Sequence, residues 1–588
     1  MSKKNHKYIF VTGGVMSGIG KGITVSSIGK ILQGRGLTVT AIKVDPYVNV
    51  DAGTMNPTEH GEVAVLDDGY ECDQDMLNYE RFLNVTLPNI NYMTTGRVYR
   101  SVINRERNLG YKGKCVQVVP HVPMEIISRI EKAADLADAD VIVIEIGGTL
   151  GEYENILFLE AARMLKNKYP KDVMYVMLTY LPIPSKIGEM KTKPTQHAVR
   201  NLNATGIQPN IIVARADVPL DQKRKEKIAL FCNIKKENVI SAPDIDSIYD
   251  CPLNFEKDKL SDRIIKKLSL EKRVKKSNLT QWKNFSKKVH NGGKELNIAI
   301  VGKYFDSGDF VLADSYISVI EAIKFSAYKI DAKPKIHWLN AKDFETGKLK
   351  LAQLKKYDGV VVPGGFGTTG IEGKIKVIEF LRKNKIPFLG LCYGMQLAVI
   401  EYARNVLGMK GAHTVEIDSK TPFPVVDIMP EQKELMKDKN YGGTMRLGAY
   451  PAILEKGTVA RKAYGKNEIS ERHRHRFEIN PDFINDSSPH HLCNPADRLC
   501  EERSATKQLD NSDARLCELQ SVAEKRGNLV TNELLFSATS PDGRLMEIVE
   551  LPEKIHPFFV ATQFHPEFKA RPLDPHPLFT AFLKAAKK

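Results

Sequence analysis

Three separated stretches carry residues that could perform nucleophilic catalysis through a tetrahedral intermediate. Gly390-Leu391-Cys392-Tyr393-Gly394-Met395-Gln396 follows an apolar run and opens a helical pattern. A G-x-C-x-G turn is the cysteine form of a nucleophile elbow, which lifts one side chain clear of a sheet at a helix N-terminus. The positive end of that helix favours the thiolate, the reactive form of cysteine. Far downstream stands Thr562-Gln563-Phe564-His565-Pro566-Glu567. In an extended segment, positions two apart share a face, so His565 serves as base toward Cys392 and Glu567 orients the imidazole. The third stretch is Pro363-Gly364-Gly365-Phe366-Gly367, whose glycines free backbone N–H groups to bind an oxyanion. A cysteine alone is more often a buried core residue. The three stretches together read as a triad for nucleophilic catalysis.

A second chemistry lies near the start of the chain. Val11-Thr12-Gly13-Gly14-Val15-Met16-Ser17-Gly18-Ile19-Gly20-Lys21-Gly22 sits between a short apolar run and a helical pattern. Strand, glycine-rich turn, helix start and one lysine make a phosphate cradle, with backbone N–H groups turned toward the anion. The fit to G-x-x-x-x-G-K-S/T is imperfect: Gly14 lies one residue too far upstream, and Gly22 replaces the magnesium-binding hydroxyl. The metal must then find oxygen ligands elsewhere. Asp75, in Glu71-Cys72-Asp73-Gln74-Asp75, and Glu145, which ends the apolar run 141–144, are candidates. Solvated surface acids are an equally open reading of Asp73 and Asp75. Lys191-Thr192-Lys193-Pro194-Thr195-Gln196 could grip a second triphosphate, with an exposed lysine loop as the rival. As a strand, Arg472-His473-Arg474-His475-Arg476 would send its arginines to one face, suited to a carboxylate or phosphate, or to a solvated edge.

The elements that must position these residues are legible as apolar runs. Residues 37–44, 141–144, 173–178 and 211–214 are apolar on both faces and separated by helical patterns, which predicts a parallel sheet covered on two sides. Ligands of such sheets bind beyond the carboxyl ends of the strands, where Lys43, Glu145 and the 13–21 turn all fall. Around 271–295, lysines crowd a polar segment that reads as an exposed helix and linker. A second alternating pattern follows at 296–301, 359–362 and 387–391, with further strands at 544–550 and 558–563. The polar stretch 481–535 is predicted to be a surface insertion, partly disordered. Its His490, His491, Cys493 and Cys500 fit none of the usual zinc spacings, so a solvated loop is the simpler reading.

At 588 residues the chain calls for two to four domains. Its 42% hydrophobic and 27% charged content argues against wholesale disorder. The net charge of +15 fits nucleic acid or dense polyphosphate substrates; without aromatic-basic or Cys/His finger patterns, the small-molecule reading is preferred. Eight scattered cysteines suit a reducing compartment. No signal peptide or membrane-length run is evident, so a cytoplasmic protein without membrane or nucleic-acid partners is expected.

The stretches GGVMSGIGKG, KVDPYVNVDAGTMNP, NPTEHGEV, EIGGTLGEYE, KTKPTQ, PGGFG, GLCYGMQ, GTMRLGA, RHRHRFE and QFHPE resemble the CTP synthase family over nearly the whole chain. The resemblance implies an α/β protein of two doubly wound, Rossmann-like domains. A P-loop synthetase domain similar to dethiobiotin synthetase would span 1–271, and a class I glutamine amidotransferase domain 296–588, joined by a linker at 272–295. It implies that ATP phosphorylates the 4-oxygen of UTP and that ammonia from glutamine crosses a tunnel to displace that phosphate, giving CTP.

Carried over by motif, Ser17, Gly18, Ile19, Gly20, Lys21 and Gly22 would bind ATP, with Lys21 and Lys43 on its phosphates and Arg215 and Asp246 near the adenine. Asp75 and Glu145 would hold Mg2+. UTP or CTP would meet Ser17, Glu152, Tyr153, Glu154, Lys191, Thr192, Lys193, Gln196 and Lys227 across a subunit boundary. His60 would stand at the tunnel mouth. Gly365 and the Tyr393 amide would form the oxyanion hole, and Phe366, Gln396, Glu416 and Arg476 would recognise glutamine. GTP activation, CTP feedback and a homotetramer, possibly forming filaments, are further implications. Three departures stand out: Thr369 where the family commonly has arginine, which bears on GTP activation; extra residues 305–312; and the 481–535 insertion. Rival readings are a cobyrinate-type amide ligase, a scaffold retaining dead motifs, and RNA binding.

Overall fold

The computed structural model describes residues 4–56, 61–186, 188–303, 313–365, 367–429, 432, 445–484, 492 and 533–588. The chain divides into two compact units. Met1–Gly53, Glu71–Asn291 and Arg571–Leu573 form the first; Thr54–Tyr70, Gly292–Ala570 and Asp574–Lys588 form the second.

The first unit is built on seven strands: β1 (Lys7–Gly13), β2 (Val39–Asp45), β3 (Tyr92–Thr94), β4 (Val141–Ile146), β5 (Val173–Tyr180), β6 (Ile211–Ala216) and β7 (Val239–Pro243). They lie in the order β3-β2-β4-β1-β5-β6-β7, all parallel. Every residue of β1, β2 and β4 is buried, so their apolar residues serve both faces of the sheet. The β2–β4 register sets Lys43 beside Glu145. The first chemically loaded turn, 14–20, leaves the carboxyl end of the central strand β1 and enters helix Lys21–Gln33.

The lysine-rich stretch expected to be an exposed helix and linker does contain a helix, Thr280–His290, but it belongs to the first unit and is docked rather than free. Trp282 is 1% exposed, packs on Phe82 with ring centroids 5.0 Å apart, and donates its indole N–H to the Tyr249 carbonyl at 2.8 Å. Its apolar stripe is short, Leu279, Trp282 and Phe285, and the surrounding lysines mask it in composition. Trp282→Ala is expected to destabilise the first unit by about 3–5 kcal/mol, read as a lower urea midpoint.

The second unit carries a nine-stranded sheet: β8 (Lys294–Gly302), β9 (Ala332–Asn340), β10 (Gly359–Val362), β11 (Phe388–Leu391), β12 (Arg446–Leu454), β13 (Glu468–His475), β14 (Leu535–Thr539), β15 (Met546–Leu551) and β16 (Phe559–Thr562). The order is β9-β8-β10-β11-β16-β15-β14-β12-β13. The first five are parallel, and the rest add antiparallel, so this sheet is mixed. Pairing of Leu391 with Thr562 brings two chemically loaded segments, far apart in sequence, to adjacent strand ends. Among the described residues, no helix is long and apolar enough to cross a membrane.

Candidate functional site

Cys392 sits between β11 and helix Tyr393–Asn405 with φ 51° and ψ −102°, a backbone state that few non-glycine residues occupy. Its flanking glycines are demanded by space. A Cβ on Gly394 would lie 2.2 Å from the Val362 carbonyl oxygen, and one on Gly390 would lie 2.7 Å from Ala561 Cβ. The Cys392 N–H donates to Thr562 O at 2.6 Å, which ties the elbow to β16. From the end of β16 the chain brings His565 and Glu567 to the cavity of about 60 Å3 that Cys392, Gly364, Gly365 and Arg474 also line.

His565 Nδ1 is 2.7 Å from Glu567 Oε1. The two do not align along an extended strand, as the spacing predicts: β16 ends at Thr562, and Pro566 opens a 3-10 turn over Pro566–Lys569. The turn still brings carboxylate to imidazole. Phe568 stacks on the ring with centroids 4.9 Å apart, fixing its plane. Burial favours the neutral imidazole, but the Glu567 carboxylate and Cys392 outweigh it and hold the pKa up at about 10. Raised above its ordinary 6.5, this group stabilises the fold fully below that value, and the contribution is lost as pH rises through about 10. Melting curves from pH 6 to 10 are therefore expected to fall more steeply for the wild type than for Glu567→Gln, whose imidazole stays buried without its counter-charge.

The glycine loop is held from beneath by a residue that nothing in the sequence pattern singles out. Lys374, fully buried, donates to Pro363 O at 3.2 Å; burial lowers its pKa to about 7. Lys303 donates to Gly367 O at 2.9 Å, and the Gly367 N–H donates to Glu416 Oε1 at 3.2 Å. Glu416 thus touches the loop. Gln396 is buried and spends its amide on Phe477 O (2.9 Å) and Gln563 Oε1 (3.3 Å). Arg476 is half-buried just past β13, and Tyr393 provides the first amide of the helix behind Cys392. Thr369 lies in the turn before Gly370, which caps helix Ile371–Asn384. Phe366, His60, residues 305–312, and His490, His491, Cys493 and Cys500 lie outside the described residues.

In the first unit Gly18 and Gly20 take φ of +70° and +85°, the left-handed turns that let the loop curl before Lys21. Lys21 Nζ donates to Gly148 O at 2.9 Å. Burial lowers its pKa. Lys43 is ringed by acids: its Nζ is 3.0 Å from Glu145 Oε1, 3.4 Å from Asp45 Oδ1, and bonded to Asp75 Oδ2. Burial would favour the neutral amine, but those carboxylates hold its pKa well above the ordinary lysine value. Burial drives Asp73 well above the usual carboxylate range and raises Glu145 also, whereas Lys43 offsets the burial of Asp75 and holds it low. Tyr79 donates to the other Glu145 oxygen.

Gly22 explains the missing hydroxyl of the cradle. A Cβ there would lie 2.2 Å from Asp75 Oδ1, so the carboxylate stands where the serine or threonine side chain would reach. Four carboxylates, Asp45, Asp73, Asp75 and Glu145, face two lysines, an oxygen-rich and acid-heavy set that fits a hard divalent cation. Among the described residues no three His, Cys, Asp or Glu side chains form a preassembled cage. Magnesium does not need one, since it keeps waters and phosphate oxygens and takes one or two carboxylates.

Beyond the cradle, a cavity of about 350 Å3 is lined by Ile19, Gly20, Arg215, Asp244, Ile248 and Phe255. Arg215 donates to Ile19 O at 3.2 Å and pairs with Asp244 at 2.6 Å. Asp244 therefore lines this cavity, while Asp246 is exposed and does not. Ser17, Glu152, Tyr153, Glu154, Lys193 and Lys227 are exposed in the single chain, Tyr153 at 89%. Lys191 pairs with Glu189 at 2.6 Å, and Gln196, buried, donates to Thr192 Oγ1 at 3.2 Å.

Residues 7–270 match the family described as CTP synthase N-terminus, and residues 311–508 and 501–585 match glutamine amidotransferase class-I. The chain is 47% identical over 584 residues to a CTP synthase of Thermococcus gammatolerans, with 99% of both chains covered. It is 48% identical over 584 residues to one of Pyrococcus furiosus and 45% identical over 582 to one of Bacillus subtilis, covering 99% of this chain and 98% of each relative.

Proposed function

Since the chain belongs to the CTP synthase family of glutamine-hydrolysing carbon–nitrogen ligases, we propose that it makes CTP through a phosphorylated UTP and an internal transfer of ammonia. The observation that carries this reading is that one chain holds both a Cys392–His565–Glu567 constellation and a lysine-and-carboxylate phosphate cradle.

In the amidotransferase unit, Cys392 attacks the glutamine side-chain amide, and His565 hands a proton to the departing nitrogen. Backbone N–H groups of Gly365 and Tyr393 receive the oxyanion. Lys374 and Lys303 keep the loop that carries Gly365 in place. Phe366, Gln396, Glu416 and Arg476 contribute to glutamine recognition. Gln396 does so from behind, through the Phe477 backbone.

In the synthetase unit the UTP 4-oxygen attacks the γ-phosphorus of ATP and ADP leaves. Ammonia then adds at C4, and phosphate departs with the former carbonyl oxygen. Ser17, Gly18, Ile19, Gly20 and Gly22 wrap the triphosphate, Lys21 and Lys43 balance its moving charge, and Arg215 borders the adenine. Asp75 and Glu145 would hold Mg2+, which when bound neutralises phosphate charge. Glu152, Tyr153, Glu154, Lys191, Thr192, Lys193, Gln196 and Lys227 form the UTP and CTP surface, and the exposure of five of these eight suits a site completed by a second subunit in a tetramer. His60 is assigned the role of gating ammonia. GTP activates and CTP inhibits, with Thr369 bearing on the response to GTP. The enzyme works in the cytoplasm.

The test is isotopic. UTP labelled with oxygen-18 at the 4-oxygen, incubated with ATP, magnesium and glutamine, is expected to transfer its label to inorganic phosphate. CTP formed without labelled phosphate would exclude the phosphorylated intermediate.

A further inference from the structure

Arg472, in the middle of β13, is completely buried. Its main-chain carbonyl accepts the backbone N–H of His565 at 2.8 Å. Its Nε donates to Asp67 Oδ1 at 2.5 Å, and its Nη1 reaches Phe568 O at 3.5 Å. Asp67 belongs to segment 61–70, which packs with the second unit although chain order places it within the first domain. The Ala449 N–H donates to Asp67 O at 2.9 Å, Lys569 lies 3.6 Å from Asp67 Oδ2, and Ser318 donates its N–H to Glu62 Oε2 at 3.1 Å. The backbones touch: a Cβ on Gly448 would lie 2.7 Å from Gly69 N. Glu62 and Val63 of this segment line the Cys392 cavity.

We propose that Arg472 is a positioning residue that joins the backbone of the catalytic histidine to segment 61–70, so that the base and the wall of the ammonia-releasing cavity hold one register. The arginine face of β13 does take a carboxylate, as its residue types allow, but that carboxylate is the protein's own Asp67. A guanidinium buried this completely depends on its counter-charge, and removing one partner leaves the other uncompensated. Burial pushes the Asp67 carboxyl up, while Arg472 and Lys569 outweigh it and hold the group below its usual range, so the pair is charged at neutral pH. The segment's own bonds to Ala449 and Ser318 carry it in the correct direction but contact no triad residue. Arg472 alone among these ties grips both. The functional side of this inference rests on the internal ammonia route proposed above.

Full-length Asp67→Asn and Arg472→Lys are to be compared with wild type by hydrogen exchange, glutaminase activity, and CTP formed per glutamate released. Asp67 is 36% exposed, so asparagine is accommodated without a packing change. In Asp67→Asn, amide exchange at 61–70 and at His565 is expected to rise together. CTP per glutamate is expected to fall about tenfold, with ammonia-dependent synthesis kept within about twofold. Arg472→Lys keeps the charge without the two-point grip and is expected to fall between. A salt bridge that only stabilises would lower Tm in both variants and leave CTP per glutamate at the wild-type value. That result, or unchanged exchange at His565, overturns the proposal. Should wild type itself release its amide nitrogen to bulk ammonium, the internal route fails, and exchange at His565 still decides the coupling.

Discussion

Cys392→Ala is expected to reduce CTP formation from glutamine by about 10^4-fold or more, while synthesis from free ammonia stays within about twofold of wild type. On the proposed reading the loss is large because the sulfur forms the bond that the other groups only assist. His565, held protonatable by Glu567, and the loop over Lys374 keep their geometry but have nothing to act on. On that reading the synthetase chemistry needs only ammonia. Steady-state assays with the two nitrogen sources separate these effects, and equal loss with both would contradict a separate amidotransferase centre. The substitution removes a single sulfur from a buried, strained position, so the fold should tolerate it.

Lys21→Ala is expected to give the opposite pattern. CTP synthesis is expected to drop about 10^3-fold with either nitrogen source, while glutaminase activity remains within about threefold. Lys21 is the cation at the mouth of the cradle, and among the described residues its side chain hydrogen-bonds to a backbone oxygen, Gly148 O at 2.9 Å. Its removal leaves Asp75 and Glu145 still paired with Lys43. Lys43 is a poorer probe, because its loss would leave Asp45, Asp75 and Glu145 uncompensated and confound chemistry with folding. Undiminished ammonia-dependent turnover in Lys21→Ala would remove Lys21 from the phosphates.

Much of the architecture can be read from residue type alone. Strands buried on both faces carry unbroken apolar residues, so 141–144 and 173–178 are recognisable wherever they occur. Glycine spacing around Cys392 reports a backbone that tolerates no Cβ, as the 2.2 Å approach of Val362 O to Gly394 demonstrates. The mixed character of the second sheet was not legible. Strands such as Glu468–His475 carry charged residues that look solvent-facing yet are nearly all buried. The docking of the helix at 280–290 was hidden for a related reason: three apolar residues, Leu279, Trp282 and Phe285, seat it, and its lysines dominate any average over the window.

By itself, the chain's order of residues determined the two chemistries, because a thiol elbow and a glycine–lysine cradle are local devices whose spacing is set by backbone geometry. Folding alone decided the partners. Asp75 against Gly22, Asp244 on Arg215 and Asp67 on Arg472 are pairings between residues distant in sequence. Such pairs form where sheet register and burial bring side chains together, and no local pattern records which strand will lie alongside.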